Sequence, residues 1–166
     1  MDLSEKAIEI ARDRYPGIEF VARDLFGGPL PGGQDLAVAS EVIEHVEDQP
    51  AFVALLLDAV RPGGYLLLTT PNGRVEERWK RRPAYAPQPI EKWLRPEELR
   101  RLLQDRCRIL RLTTFLYDFA RDGPYALIHH AWYQRVVERL GLAGLSDRFW
   151  GACGLGLYTV VLARKR

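Results

Sequence analysis

The chain has 166 residues, 47% hydrophobic and 28% charged, which is the composition of an ordinary globular protein large enough to bury a core. Its 24 Lys and Arg against 22 Asp and Glu leave a net charge of +2, too balanced to imply a nucleic-acid or membrane field by itself. Cys107 and Cys153 form neither a metal pattern nor a disulfide framework, so a reducing, cytoplasmic compartment is expected. Asp58 interrupts the longest apolar run, and Asp2, Ser4 and Glu5 stand where a signal peptide needs basic and apolar residues.

In chain order, residues 5–14 read as a helix with Ala7, Ile8, Ala11 and Tyr15 on its inner face, stopped by Pro16-Gly17. Asp2 stands ahead of it, where a carboxylate can cap the helix or accept two hydroxyl hydrogen bonds. Residues 18–22 form a strand candidate, followed by Arg23-Asp24-Leu25 and the loop FGGPLPGGQ. Asp24 suits a turn start. The loop glycines are no phosphate-binding fingerprint, because no strand runs directly into them and no helix follows.

Residues 35–73 organise the chain. Residues 36–39 and 65–69 are short apolar runs, read as strands buried on both faces of a parallel sheet. Phe52, Leu55, Leu56, Ala59 and Val60 recur between them at helical spacing. Asp48 caps that helix, Pro50 fits its first turn, and Arg61-Pro62-Gly63-Gly64 ends it, completing one βαβ unit. Its polar residues gather after the first strand at Ser40, Glu41, Glu44 and His45, where open α/β sheets bind ligands. If Glu41 begins a helical turn, then Glu41, Glu44 and His45 share a face. Three readings stand open: a divalent-cation site, a general base at His45, or a solvated helix N-terminus.

After Gly73 the stretch RVEERWKRRPAYAPQPIEKW is charged, proline-rich and aromatic, as in a lid. Arg74, Arg78, Lys80, Arg81 and Arg82 suit either an anionic substrate (phosphate, carboxylate or RNA) or a solvated face. Pro96 opens a helix with Leu99, Leu102 and Leu103 inward, and residues 107–115 read as a strand. One helix is expected from Pro124 to near Gly141, with Ile128, Trp132, Val136 and Leu140 as a core stripe; the sharper readings are a hydrophobic wall or a membrane contact. Residues 155–163 form the last, antiparallel strand, and ARKR a solvated tail. All four tryptophans follow Gly73, which suits substrate recognition in that half.

SEVIEHV followed by RPGGYLLLTTPNG resembles the central strands of class I S-adenosylmethionine-dependent methyltransferases. The nearest type is that of quinone-biosynthesis O-methyltransferases and small-RNA 2′-O-methyltransferases. The likeness runs up to Asp2 and more weakly down to Leu103, roughly two thirds of the chain. It implies an α/β, Rossmann-like sheet ending in an antiparallel C-terminal strand. It implies S-adenosylmethionine as cofactor and O-methylation of a small-molecule or lipid-like acceptor rather than nucleic acid, with peripheral membrane contact as an option.

By the same resemblance, Asp2 with Leu3 takes the ribose hydroxyls, Asp24 the adenine amino group, and Leu25 packs on the ring. Ser40 lies beside the methionine part, and Glu44 and His45 orient or deprotonate the acceptor. Glu41, Glu44 and His45 would hold Mg²⁺ or another divalent cation, although QPIEKWLRPEEL lacks the further histidine of the RNA enzymes. The family's glycine-rich turn has no counterpart before Asp2, and Gly151, Gly154 and Gly156 precede a strand rather than follow one. The family's sheet order is 3-2-1-4-5-7-6, so an N-terminally truncated sheet is expected, lacking its first strand, first helix and most of its second strand. The whole chain would be one domain, with a cofactor half at 1–73 and a lid and substrate half at 74–166. The alternative is a non-catalytic remnant that binds a partner. Acceptor and oligomeric state are not written in these motifs.

Overall fold

Small and branched residues alternate along Gln34–Ser40, which forms β1, and Val60–Pro71 forms β2 parallel to it, with Ala37 opposite Leu66 and Ala39 opposite Leu68. The crossover between them is helix α2, Gln49–Ala59, whose start is capped by Asp48 Oδ1 accepting from the Ala51 N–H at 2.9 Å. Two antiparallel strands complete the sheet: β3, Cys107–Phe115, and β4, Tyr158–Lys165. The order is β1-β2-β4-β3, which reproduces places 4-5-7-6 of the order that the resemblance implied. This computed structural model describes every residue except 83, 84, 87, 118, 119 and 121.

The core lies on one face of the sheet. Leu66, Leu68 and Thr70 of β2 stand opposite Ala163, Val161 and Thr159 of β4, all six fully buried. Helix α2 contributes Phe52, Val53, Leu56 and Leu57, and helix α4, Pro96–Leu103, contributes Leu99 and Leu103. The expectation that residues 36–39 are buried on both faces does not hold. Leu36 and Val38 are 48% and 59% exposed, because the period-2 pleat turns them away from the face that α2 covers. Gly64 permits the close approach of β2 to β1, where a Cβ would stand 2.9 Å from the Asp35 carbonyl oxygen.

Three further expectations change. The long helix expected after Pro124 is two: α5, Pro124–Ile128, and α6, Ala131–Arg139. His130 breaks the run, its backbone extended and its Nδ1 accepting from the Trp132 N–H at 3.1 Å as a new N-cap. The stripe is consequently not core throughout: Ile128 is buried, while Trp132 and Leu140 are 59% and 62% exposed. Helix α7, Ala143–Ala152, was not foreseen; Trp150 on it packs with Tyr125 and Ile128. The basic tail is solvated at Arg164 and Arg166, both exposed, but not at Lys165. Lys165 Nζ donates to the carbonyls of Leu57 (2.6 Å) and Val60 (2.8 Å), satisfying the end of α2, where a cation is favoured.

The chain divides into two compact units, Met1–Pro31 and Gly32–Arg166, so Gly73 lies inside the second. The first contains helix α1, Glu5–Arg14, capped by Ser4 rather than by Asp2. The strand expected at 18–22 reduces to one parallel bridge, Asp2 with Ala22. Between Trp79 and its neighbours a short helix α3, Glu76–Lys80, forms where a lid loop was expected. Among the described residues no helix is long and apolar enough to cross a membrane.

Candidate active site

At the carboxyl end of β1 the chain turns through Glu41 in the left-handed region, φ +54°, instead of starting a helix. This costs a non-glycine residue on the order of 1 kcal/mol. Two bonds hold the turn to β2: the Glu41 N–H donates to the Thr69 carbonyl at 3.1 Å, and Thr69 Oγ1 donates to Glu41 Oε1 at 2.9 Å. Thr69 has only one hydroxyl proton, so Ser40 Oγ, 2.9 Å away, is the donor in their mutual bond. A 3-10 turn, Ile43–His45, follows.

Glu44 is 1% exposed, and its Oε2 accepts from Thr70 Oγ1 at 3.0 Å. Burial is the main cause that raises both carboxyls. Glu41 is pushed from 4.5 to about 6, the Thr69 hydrogen bond opposing and the Glu44 charge adding. Glu44 is raised against a backbone hydrogen bond and the Thr70 hydroxyl. His45 Nδ1 lies 2.8 Å from the Ile90 carbonyl oxygen. A carbonyl only accepts, so Nδ1 carries the proton and Nε2 of the neutral ring is left as the acceptor. Nε2 is 3.8 Å from Glu44 Oε1.

These groups wall a cavity of about 270 Å³, closed on other sides by Trp79, Trp93 and Tyr158. The segment carrying Trp93 is stitched to the acidic turn. The Lys92 N–H donates to the Glu44 carbonyl at 2.8 Å, and Gln49 Nε2 bridges the carbonyls of Ile43 (3.1 Å) and Lys92 (2.9 Å). Glu91, in the same wall, is raised by burial but held below its usual range overall by the Tyr85 hydroxyl, Trp93 Nε1 and the Lys80 ammonium. Burial, with the charges of Glu41 and Glu44, lifts the Tyr158 hydroxyl.

Asn72, fully buried after β2, donates from Nδ2 to the carbonyls of Gly154 (3.0 Å) and Gly156 (2.7 Å), and its Oδ1 accepts from the Arg74 N–H. Sequence reasoning missed Thr69, Thr70, Asn72 and Glu91. The run Thr-Thr-Pro-Asn-Gly at the carboxyl end of a strand was the available signal.

The expected divalent-cation site does not fit. Among the described residues no three His, Cys, Asp or Glu side chains converge to hold a metal ion. The left-handed turn at Glu41 breaks the helical spacing that would have aligned them, and each carboxylate is engaged by a threonine hydroxyl. Gly151 and Gly156 serve packing: a Cβ would stand 2.3 Å from Thr113 Oγ1 and 2.2 Å from the Phe115 nitrogen.

In the first unit the bridge of Asp2 to Ala22 brings Asp2 near Asp24. Oδ1 of Asp2 accepts from the Ser4 N–H (2.8 Å) and Oδ1 of Asp24 from the Phe26 N–H (2.9 Å). Both Oδ2 atoms have no hydrogen-bond donor among the described residues. Leu3 is exposed and Leu25 half-buried. Two exposed carboxylates with a spare oxygen each, beside apolar side chains, fit the hydroxyls and amine of a nucleoside.

A Rossmann-like α/β sheet with polar groups at its strand carboxyl ends defines a nucleotide-cofactor fold. The chain belongs to the methyltransferase-domain family, whose model matches residues 1–106. It is 38% identical over 73 residues to a probable S-adenosylmethionine-dependent methyltransferase of Mycolicibacterium smegmatis, covering 43% of this chain and 28% of that protein. A ubiquinone biosynthesis O-methyltransferase of Thiobacillus denitrificans is 33% identical over 78 residues, covering 43% of this chain and 34% of the relative. The chain thus spans about a third or less of these relatives. A possible histamine N-methyltransferase from Thermotoga maritima aligns with 99% of this chain and 71% of its own, TM-score 0.62 at 18% identity, a likeness of fold.

Proposed function

We propose that the chain carries methyl transfer from S-adenosylmethionine to an oxygen of a small-molecule or lipid-like acceptor, in a cytoplasmic setting. The observation that carries this reading is the oriented His45, which lines an acidic cavity walled in part by aromatic rings. When bound, S-adenosylmethionine would supply the electrophilic methyl for the acceptor oxygen, with the thioether as leaving group. His45 Nε2 takes the proton of the acceptor hydroxyl, and the Glu44 carboxylate stabilises the imidazolium that results. Glu41 and the rings orient the acceptor, and positioning supplies most of the acceleration. Within the first unit Asp2 and Leu3 would hold the ribose, and Asp24 and Leu25 the adenine.

Exposed Trp132, Val136 and Leu140 favour the lipid-like end of the acceptor range and a peripheral membrane contact. The functional division, cofactor side at 1–73 and substrate side at 74–166, is part of the same proposal. The bare face of β1, with Leu36 and Val38 exposed, supports the alternative of a non-catalytic binding module. Calorimetric titration of the folded chain with S-adenosylhomocysteine separates the two. Binding near micromolar, about −8 kcal/mol, that is lost in Asp2→Asn supports the enzyme; a folded chain that ignores the ligand supports the module.

A further inference from the structure

Trp79 of α3 lines the acidic cavity, and Lys80 beside it pairs with Glu91 of that cavity's wall. Glu77, Arg78 and Arg81 line a second cleft of about 690 Å³ together with Arg74, Arg95 and Asp122. Four guanidiniums meet two carboxylates in that lining, and the volume lies in the range of small-molecule pockets.

The arginines are held to different degrees. Arg74 is anchored by Glu97 Oε2, 3.1 Å from its Nη2, and by the Cys153 carbonyl at 3.4 Å. Arg78 pairs with Asp122, and its guanidinium lies 5.3 Å from the Tyr125 ring centre. Both side chains are half-buried, so their forks are oriented in advance. Asp122 is 74% exposed and can turn to water when another anion takes its place. Arg95 makes no direct ion pair among the described residues, although its charge, with that of Arg74, helps lower the Glu97 carboxyl; the Glu98 carboxylate accepts from the Arg95 backbone N–H at 2.8 Å. An incoming oxyanion therefore meets one guanidinium that has no direct ion pair among the described residues and two already aimed.

We propose that this cleft is an oxyanion site, taking a carboxylate- or phosphate-bearing small molecule through Arg95, Arg78 and Arg74. Planar guanidiniums bind both groups through paired N–H donors. As the anchor for the charged end of a methyl acceptor, this rests on the methyl-transfer reading; as a binding site it stands without it. Gly73 and Arg74 follow directly on Asn72, and α3 contributes to both linings, so the acidic cavity and the cleft are neighbours in one unit.

The test is calorimetric titration of the full chain with tricarballylate and, separately, with pyrophosphate, at low salt. Binding of tricarballylate alone assigns the carboxylate source and of pyrophosphate alone the phosphate source; binding of both assigns a general oxyanion site. In each case Arg95→Gln weakens binding about tenfold or more. That side chain is exposed and makes no direct ion pair among the described residues, so the variant is expected to fold. Arg108→Gln, on exposed β3 surface, leaves binding unchanged. A folded chain that binds neither anion overturns the proposal, and so does equal weakening in both variants, which would be mere charge attraction. S-adenosylhomocysteine is titrated in parallel. Anion binding without cofactor binding keeps the site and sinks the methyl-transfer reading, and the reverse result sinks only the site.

Discussion

The acidic cavity and the arginine cleft flank the same short helix but are charged by opposite means. In the cavity, Glu44 is buried and Glu41 half-buried, each carboxyl is touched by a threonine hydroxyl, and burial makes ionisation harder. In the cleft the guanidiniums stay partly in water and are balanced by exposed carboxylates such as Glu77 and Asp122. Desolvation thus tunes one site and leaves the other as a set of charges for exchange. The first suits proton chemistry, the second recognition.

The largest expected effect breaks the cavity. His45→Gln removes the acceptor nitrogen and should lower turnover roughly 100-fold or more while S-adenosylhomocysteine affinity holds; initial rates beside titration check this, and undiminished turnover would remove His45 from the chemistry. Next comes the loop that both sites share. Asn72→Ala strands the Gly154 and Gly156 carbonyls and the Arg74 N–H. A loss of about 2–3 kcal/mol in urea unfolding is expected, with both ligand affinities reduced.

A pH series sharpens the contrast. The folded chain holds the Glu41 proton up to about 6, against 4.5 for an unburied carboxyl, and Glu44 is shifted in the same direction. The folded form therefore binds these protons more tightly than the unfolded one. Their contribution to stability is full below pH 4.5 and is lost as pH rises through about 6. Glu41→Gln should flatten the urea midpoint over that window; an unchanged slope would place the dependence on other groups. Opposite Thr70 in the sheet, Thr159 Oγ1 is buried with no partner among the described residues. Thr159→Val should raise stability by up to about 1 kcal/mol, read as a higher Tm. Smallest of all, Arg81→Gln breaks an ion pair whose side chains are 81% and 92% exposed, and stability should move by less than about 0.5 kcal/mol.

The βαβ unit was legible because each of its parts is local. Strand runs, the Asp48 cap and Pro50 act over a few residues and appear where the pattern puts them, while the Pro-Gly-Gly segment, read as a turn, lies inside β2 at a register irregularity. Helices after Pro124 were less legible, because a histidine N-cap at His130 is a weak signal inside a continuous apolar stripe. At the site, the clustering of Glu41, Glu44 and His45 could be read from spacing. Their chemistry could not: the left-handed turn at Glu41 and the threonine bonds depend on β2 lying alongside.

What the sequence alone determined was the family, the parallel β1–β2 pair, the antiparallel last strand and the polar cluster at the strand ends, all carried by short-range patterns. Only the tertiary structure decided which carboxyls lose water, which nitrogen of His45 keeps a lone pair, that no metal set assembles among the described residues, and which arginines share a cleft. Those are properties of groups brought together from residues 41 to 158, and desolvation and orientation exist only once distant segments pack.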